Sequence, residues 1–278
     1  MDREGVRTEA VHVLRRLRNV ALAAARPVDE LAMTINGKRH YPPIALRRYV
    51  GPLRSFETSG AEFTAYLKLL GHLEPTSRML DIGCGCGLIA LQLDGWFTEG
   101  GYWGVDIHQP SIEWASRHIT AASPEFRFQH IDVRSEAYNR HGSEAGSGYR
   151  FPFDGAFFDV VLLKSVFTHM RPPDVDNYVA EIARLLRPGG RCMLTFFLLN
   201  EEQQRRFDEN RLAFVHGDDT WRYVHKESPE TAVAYDERFV LDLFDRHRLR
   251  LAEPISYGRW SGRPEGLTYQ DLLVVTLR

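Results

Sequence analysis

Short apolar runs alternate with segments of helical periodicity through the middle of the chain. Five runs suit strands, at residues 79–82, 102–105, 126–131, 158–163 and 192–199. Between them, apolar residues recur every three or four positions, as they do on the buried face of a helix. This alternation, at intervals of about 20 to 30 residues, is typical of an α/β protein with a doubly wound, mostly parallel sheet.

The last third of the chain departs from this pattern. Residues 200–235 contain a charged, helix-like piece and a stretch that alternates like a strand, so we predict a lid or acceptor-binding insertion there. Two final strands are predicted at 249–255 and 272–277. The segment at 256–263 between them is too short for a crossover helix, which predicts an antiparallel last pair.

The first 57 residues are expected to form an extension. Residues 10–25 predict an amphipathic helix that ends before Pro27 and packs on the domain or on a second copy in a homodimer. Residues 27–57 hold four prolines and are expected to be irregular, either draped over a site or only a connector. A capping box from Ser59 to Glu62 predicts the start of the next helix. The predicted domains are an N-terminal extension at 1–57 and a main domain at 58–278.

Composition narrows the classes of partner. The chain has 278 residues, 44% hydrophobic and 26% charged, with a net charge of -2. A balance so near neutrality disfavours nucleic acid and anionic membranes as partners. No signal-peptide core or membrane-spanning run is visible, and three cysteines do not make a disulfide framework, so a reducing cytoplasm is the expected compartment.

A glycine-rich loop follows the first strand. It reads Asp81-x-Gly83-x-Gly85-x-Gly87, and an apolar segment suited to a helix follows at 88–93. Strand, tight turn and helix together favour a nucleotide-like ligand at the carboxyl end of the strand. The dinucleotide fingerprint G-x-G-x-x-G is not met, because Leu88 occupies its third glycine position.

The loop resembles motif I of the class I S-adenosylmethionine-dependent methyltransferases. Acidic residues also stand at the ends of the second and third strands, as Asp106 and Asp132, as they do in that family. Residues 151–161 look like the family's approach to the fourth strand, and 185–191 are similar to its turn into the fifth. The resemblance covers about residues 59–199 in the expected order. It implies a Rossmann-like fold and S-adenosyl-L-methionine as cofactor.

The resemblance also implies roles for single residues. Asp106 would bind the two ribose hydroxyls and Ile107 would pack on adenine. Asp132 would accept from the adenine amino group, with the Val133 N–H facing a ring nitrogen. Asp81 would orient the methionine amino end. The remaining implied contacts are the loop backbone at Gly83, Cys84, Gly85 and Gly87, and two residues near the sulfonium, Ser165 and Val166.

His169, in the stretch after the fourth strand, is the candidate catalytic residue. A histidine is the right type of general base near neutral pH, but one that packs under the cofactor or bonds a carbonyl is an equal alternative. No metal site is expected, since Cys84 and Cys86 lack further ligands and better suit a crowded loop. Aromatic and basic residues of the late segments were candidates for the acceptor pocket: His216, Trp221, Tyr223, His225, Tyr257, Arg259 and Trp260.

The sequence therefore predicts transfer of a methyl group to a small molecule, with a hydroxyl of a natural product or sugar as the favoured acceptor. Nucleic acid and membrane are not expected as partners. A small-molecule N-methyltransferase is the nearest alternative. An NAD(P)-dependent oxidoreductase and a non-catalytic S-adenosylmethionine-binding module are the two rivals from other classes.

Overall fold

The described part of the chain contains eleven strands and seven α-helices, joined by loops and short 3₁₀ turns. The computed structural model describes residues 21–22, 24–38, 40–206 and 212–278. The strands are β1 Arg78–Ile82, β2 Gly101–Asp106, β3 Phe126–His130, β4 Phe158–Leu163, β5 Leu186–Phe196, β6 Leu198–Leu199, β7 His216–Gly217, β8 Trp221–Tyr223, β9 Val233–Asp236, β10 Leu249–Leu251 and β11 Asp271–Leu277. The helices are α1 at residues 24–35, α2 Ile44–Tyr49, α3 Phe56–Leu69, α4 Gln109–Ala115, α5 Pro172–Leu185, α6 Glu201–Arg205 and α7 Glu237–Arg246.

Seven strands form the central sheet, in the order β10-β11-β5-β4-β1-β2-β3. The neighbours from β5 to β3 pair in parallel. β11 runs antiparallel both to β5 and to β10. The predicted doubly wound, mostly parallel sheet with an antiparallel last pair is confirmed. Its strand order reverses at β1, which lies between β4 and β2.

The two faces of this sheet bury separate apolar clusters. Leu80 and Ile82 of β1 face one cluster with α5 and α7, whereas Met79 faces the other with α3 and α4. Successive residues of a strand point to opposite faces, so a strand covered on both sides must be apolar throughout. β4 meets this requirement, since Val160 to Leu163 are all buried. Each such side chain contributes about 1.5–3 kcal/mol by burial.

The helix boundaries correct two sequence predictions for the N-terminal extension. Most of the helix predicted at 10–25 lies outside the described residues, but 24–35 are helical, so Pro27 lies inside a helix and does not follow one. A proline inside a helix loses one backbone hydrogen bond and crowds the preceding turn, at a cost of about 3 kcal/mol or more, but residues 30–33 after it are all strong helix formers. Residues 27–57 are also less irregular than predicted, because α2 forms within them.

The capping box at Ser59 does not start a helix. α3 begins at Phe56, whose side chain is buried against the segment after the glycine loop, so packing moves the helix start one turn earlier. The helix predicted at 88–93 is reduced to a 3₁₀ turn at Ala90–Gln92. Gly95, with a φ of +67°, turns the chain away soon afterwards.

The segment at 200–235 forms a second, small sheet in the order β6-β9-β8-β7. β6 follows directly on β5, and β9 pairs with it in parallel. The small sheet is therefore a continuation of the central sheet beyond the carboxyl end of β5. None of the described helices combines the length and apolarity needed to cross a membrane.

Candidate active site

A cavity of about 300 Å³ opens at the carboxyl ends of β1, β2 and β4. This is where the strand order reverses, the usual position of a ligand site in an open parallel sheet. Most of the predicted site residues line it: Asp81, Gly83, Cys84, Asp106, Ile107, Val133, Ser165, Val166 and His169. Gly85, Gly87 and Asp132 are not part of its wall.

The glycines of the loop serve backbone geometry. Gly83, Gly85 and Gly87 have φ angles of +79°, +55° and +87°, which side chains disfavour. A Cβ on Gly83 would lie 2.5 Å from Val166, and one on Gly85 would lie 2.1 Å from Val50. A Cβ on Gly87 would lie 2.5 Å from Ile119, so glycine suits all three positions both for the turn and for close packing by neighbouring segments.

Asp106, at the end of β2, is a buried and oriented carboxylate. Its Oδ2 accepts from the Gly85 N–H at 2.7 Å, and its Oδ1 accepts from the His108 N–H at 2.7 Å. Burial raises its pKa, and the two backbone donors oppose that effect. Each oxygen retains a lone pair after these bonds. The carboxylate can therefore accept two further hydrogen bonds from a ligand.

Asp81 and Lys164 place opposite charges in the wall near the middle of the sheet. The Asp81 Oδ2 accepts from the Tyr102 hydroxyl at 2.5 Å, and burial raises the Asp81 pKa to about 7. Lys164 follows β4, and its ammonium lies 5.0 Å from the centre of the Phe63 ring. Burial lowers the Lys164 pKa, while the Asp81 charge opposes that shift. This end of the cavity offers one acidic and one basic group.

Asp132 faces away from the cavity. Its carboxylate accepts from the Ser143 N–H at 3.2 Å, the Ser143 hydroxyl at 2.8 Å and the Asn139 amide at 3.3 Å. These bonds hold the loop after β3 in place and lower the Asp132 pKa. The next residue, Val133, does line the cavity. Asp132 thus fixes the loop after β3, whereas Val133 lines the cavity.

Ser165 is held in a strained conformation at the end of β4. Its φ angle is +57°, which a non-glycine residue adopts at a cost of about 1–3 kcal/mol. The Ser165 N–H donates to the Thr195 hydroxyl at 2.7 Å, and the Ser165 hydroxyl donates to Gln270 at 2.9 Å. Two side chains, Thr195 of β5 and Gln270 directly before β11, therefore fix this turn against the cavity.

His169 presents one ring nitrogen to the cavity. Its Nδ1 lies 3.0 Å from the Glu230 carbonyl oxygen, which can only accept, so Nδ1 carries the proton. Nε2 then carries the lone pair and can act as a base, and the Tyr138 hydroxyl lies 3.4 Å from Nε2 and 3.5 Å from Nδ1. Burial lowers the His169 pKa, so the ring is neutral at pH 7. This geometry suits a general base. It also contains the hydrogen bond to a backbone carbonyl that the alternative interpretation of His169 expects.

Glu230, from the segment at 200–235, fixes this side of the cavity. Its carboxylate is buried and accepts from the Ser135 hydroxyl at 2.9 Å and the Glu136 N–H at 2.8 Å. Arg171 Nε lies 3.5 Å from the same carboxylate. The insertion therefore reaches the site through its backbone and a carboxylate. None of the late aromatic or basic candidates, from His216 to Trp260, lines the cavity.

Two tyrosines that the sequence did not predict as site residues complete the cavity wall. Tyr49 of α2 stacks on His108, with ring centres 3.7 Å apart, and meets Tyr138 edge to face at 5.4 Å. Tyr138 in turn contacts His169 edge to face at 5.2 Å. The only sequence signal was the alternative that residues 27–57 drape over a site. Among the described residues, no group of three or more histidines, cysteines or acids is placed to bind a metal ion.

The chain matches proteins whose names share one activity. Residues 80–194 match the family described as "Methyltransferase domain". An uncharacterized methyltransferase of Schizosaccharomyces pombe is 28% identical over 60% of this chain and 52% of its own length. The 27-O-demethylrifamycin SV methyltransferase of Amycolatopsis mediterranei is 31% identical over 46% of this chain and 41% of its own length. The chain thus spans about half the length of these curated relatives.

A solved structure shares the fold. The TehB-like SAM-dependent methyltransferase from Corynebacterium glutamicum aligns with a TM-score of 0.50 at 16% identity, over 85% of this chain and 100% of its own. At that identity the likeness concerns the architecture alone. The order of strands in the sheet, the family match and the names of the curated relatives all agree with a methyltransferase domain.

Proposed function

Because the chain carries a class I S-adenosylmethionine-dependent methyltransferase domain, we propose that it transfers a methyl group from this cofactor to a small-molecule acceptor, at an oxygen atom. One observation carries the proposal. A buried carboxylate suited to a diol, Asp106, and a neutral histidine with a free nitrogen, His169, line the same cavity.

The cavity wall matches the chemistry of S-adenosyl-L-methionine. The cofactor combines a ribose diol and an adenine with an amino acid that bears an ammonium and a carboxylate. Asp106 would accept from the ribose hydroxyls, and Ile107 and Val133 would provide apolar contact for adenine. Asp81 would accept from the ammonium, and Lys164 would donate to the carboxylate. Asp132 has no part in this assignment, because its carboxylate bonds Ser143 and Asn139.

Positioning should supply most of the rate enhancement. When bound, the cofactor provides an electrophilic methyl group. The protein must hold an acceptor hydroxyl in line with it, and such positioning can supply about 7–11 kcal/mol of the barrier. His169 Nε2 would accept the proton of that hydroxyl, a contribution of about 10²–10⁴-fold in rate. A free amine carries its own lone pair and would not need this base, which favours oxygen as the acceptor atom.

The acceptor we propose is a hydroxyl of a natural product or sugar. The relative from Amycolatopsis mediterranei is named for methylation at an oxygen of a small molecule. We assign the acceptor to the part of the cavity around His169, whose wall also includes Met170, Asp174 and Tyr178. Apolar and aromatic walls with a few fixed polar groups suit such a scaffold.

Calorimetry with S-adenosylhomocysteine tests the proposal. The purified chain should bind this product and should bind neither NAD nor NADP. Asp106→Ala removes the acceptor for the ribose diol, so we expect at least a tenfold weaker affinity, because hydrogen bonds to a charged group contribute about 1.5–3 kcal/mol. An exposed carboxylate far from the cavity, Glu99→Ala, is the matched control. Equal affinity of the Asp106 variant would refute the assigned ribose site.

A further inference from the structure

We infer that Tyr49 of the N-terminal extension is a ribose-binding residue that completes the cofactor site begun by Asp106. The inference rests on the proposed function. It assigns a ligand-binding role to a segment outside residues 80–194, the part of the chain that matches the methyltransferase domain.

The Tyr49 hydroxyl is buried and has no hydrogen-bond partner among the described residues. A buried hydroxyl in this state costs about 1–3 kcal/mol, so it is rarely retained without a ligand or another compensation. The residue lines the cavity beside Asp106. Burial and the Asp106 charge both raise the Tyr49 pKa, so the hydroxyl stays protonated and can donate.

The position of the ring is fixed from several sides. Tyr49 stacks on His108, whose N–H binds the Asp106 carboxylate, so the ring is tied to the residues that hold that carboxylate. The next residue, Val50, packs over Gly85. In α2 itself, buried Arg47 forms an ion pair with Asp29 and donates to the Pro42 carbonyl at 2.9 Å. A tyrosine held this way is pre-organised for a ligand.

The ribose diol is the ligand group that matches both neighbours. A ribose hydroxyl can donate to the Asp106 carboxylate, which only accepts, and can accept from the Tyr49 hydroxyl, which is free to donate. One hydroxyl would then satisfy both protein groups. The adenine edge has no single atom that both donates and accepts, so only a ribose hydroxyl could satisfy both protein groups through one atom.

Tyr49→Phe, measured by calorimetry with three ligands, tests the inference. The ligands are S-adenosylhomocysteine and its 2′-deoxy and 3′-deoxy analogues. The variant keeps the ring and its stack on His108, so it should fold, and its unliganded melting temperature should match or exceed that of the wild type. We expect S-adenosylhomocysteine to bind about 3- to 10-fold more weakly, as for one net hydrogen bond. For one of the two deoxy analogues the variant and the wild type should bind equally.

Tyr41→Phe is the matched control, since Tyr41 lies in the same extension and packs on Phe56 outside the cavity wall. It should leave all three affinities unchanged. Unchanged binding of S-adenosylhomocysteine to Tyr49→Phe would overturn the inference, and an equal loss for all three ligands would assign the contact to another part of the cofactor and overturn it too. Failure of the wild type to bind S-adenosylhomocysteine would instead refute the proposed function.

Discussion

A single carbonyl oxygen decides what His169 can do. Because the Glu230 carbonyl accepts from Nδ1, the tautomer is fixed and the lone pair is placed on Nε2. The same bond that could have marked a purely structural histidine therefore prepares it for proton transfer. The sequence offered two interpretations of this residue. The carbonyl-bonded histidine corresponds to Nδ1, and the general base corresponds to Nε2.

His169→Gln separates these two functions. Glutamine can still donate an amide N–H to the Glu230 carbonyl but cannot accept a proton at neutral pH. We expect kcat to fall about 10²–10⁴-fold with a methyl acceptor, while the affinity for S-adenosylhomocysteine stays within twofold. His118→Gln, on the exposed end of the segment after α4, is the control and should keep full turnover. Turnover of the His169 variant within twofold of wild type would exclude the base role.

Burial of Asp81 predicts a pH dependence of cofactor affinity. Its pKa of about 7 means that the unliganded protein holds a proton there below neutrality, whereas the unfolded chain does not until much lower pH. The carboxyl group therefore favours folding at low pH, and this contribution is lost as the pH rises through 7. Binding an ammonium requires the ionised form, so the opposite sign applies to ligand affinity.

Calorimetry from pH 5.5 to 8.5 should show this effect. We expect the affinity for S-adenosylhomocysteine to be flat above about pH 7 and to weaken by up to tenfold per pH unit below it. Asp81→Asn cannot titrate, so its affinity should be weaker at high pH and nearly constant across the range. A wild-type profile parallel to that of the Asn variant would contradict the assignment of Asp81.

At the scale of elements, loops from distant parts of the sequence build the side of the cavity around His169. The 3₁₀ turn at Pro229–Thr231 carries Glu230, which binds the backbone and hydroxyl of the loop after β3. α5 binds the same loop through Asn177, which donates to the Gly146 and Tyr149 carbonyls at 2.8 Å each. The loop is thereby fixed at both ends and forms a firm wall.

Glu230→Gln should loosen this wall and leave the cofactor site intact. One carboxylate oxygen accepts both loop donors, and an amide would also lose the charge that faces Arg171. We expect a loss of about 1–3 kcal/mol, or roughly 3–10 °C in melting temperature for a domain of this size. KM for the acceptor should rise while the affinity for S-adenosylhomocysteine is kept. Glu99→Gln is the surface control, and a variant with wild-type melting temperature and KM would disprove the linking role.

Local pattern predicted the elements that end at the site but missed the segments that cover it. The sequence predicted that Asp106 and His169 lie near the site. Asp106 ends one predicted strand, and His169 lies in the stretch that follows another. Asp132 also stands at the end of a predicted strand and still faces outward, because Ser143 and Asn139 satisfy its carboxylate. Tyr49 ends the short helix α2, and Tyr138 lies in the loop after β3. The path of both segments depends on tertiary packing, which short-range periodicity does not predict.

At the scale of the whole molecule, the cavity joins segments far apart in sequence. Residues 49–51, the end of β1 and the stretch from Lys164 to Met170 all line it. A ligand that contacts all three would couple their stability, because opening any one of them would break contacts with the ligand.

Hydrogen exchange should reveal this coupling. On addition of S-adenosylhomocysteine, we expect slower amide exchange in residues 44–51 together with 81–88 and 164–170. α7 contributes nothing to the cavity wall and should be unchanged, as an internal reference. Protection confined to 81–88 and 164–170, with none at 44–51, would show that the extension lies apart from the ligand.

The bond between Ser165 and Gln270 has a consequence for synthesis on the ribosome. The strained turn after β4 is held by a residue that the ribosome adds about a hundred positions later, directly before β11. Until β11 emerges, β5 has an unpaired edge and the turn lacks its final support. A nascent chain that already contains the whole glycine loop would thus still present an unpaired strand edge, the kind of surface through which incompletely folded chains associate.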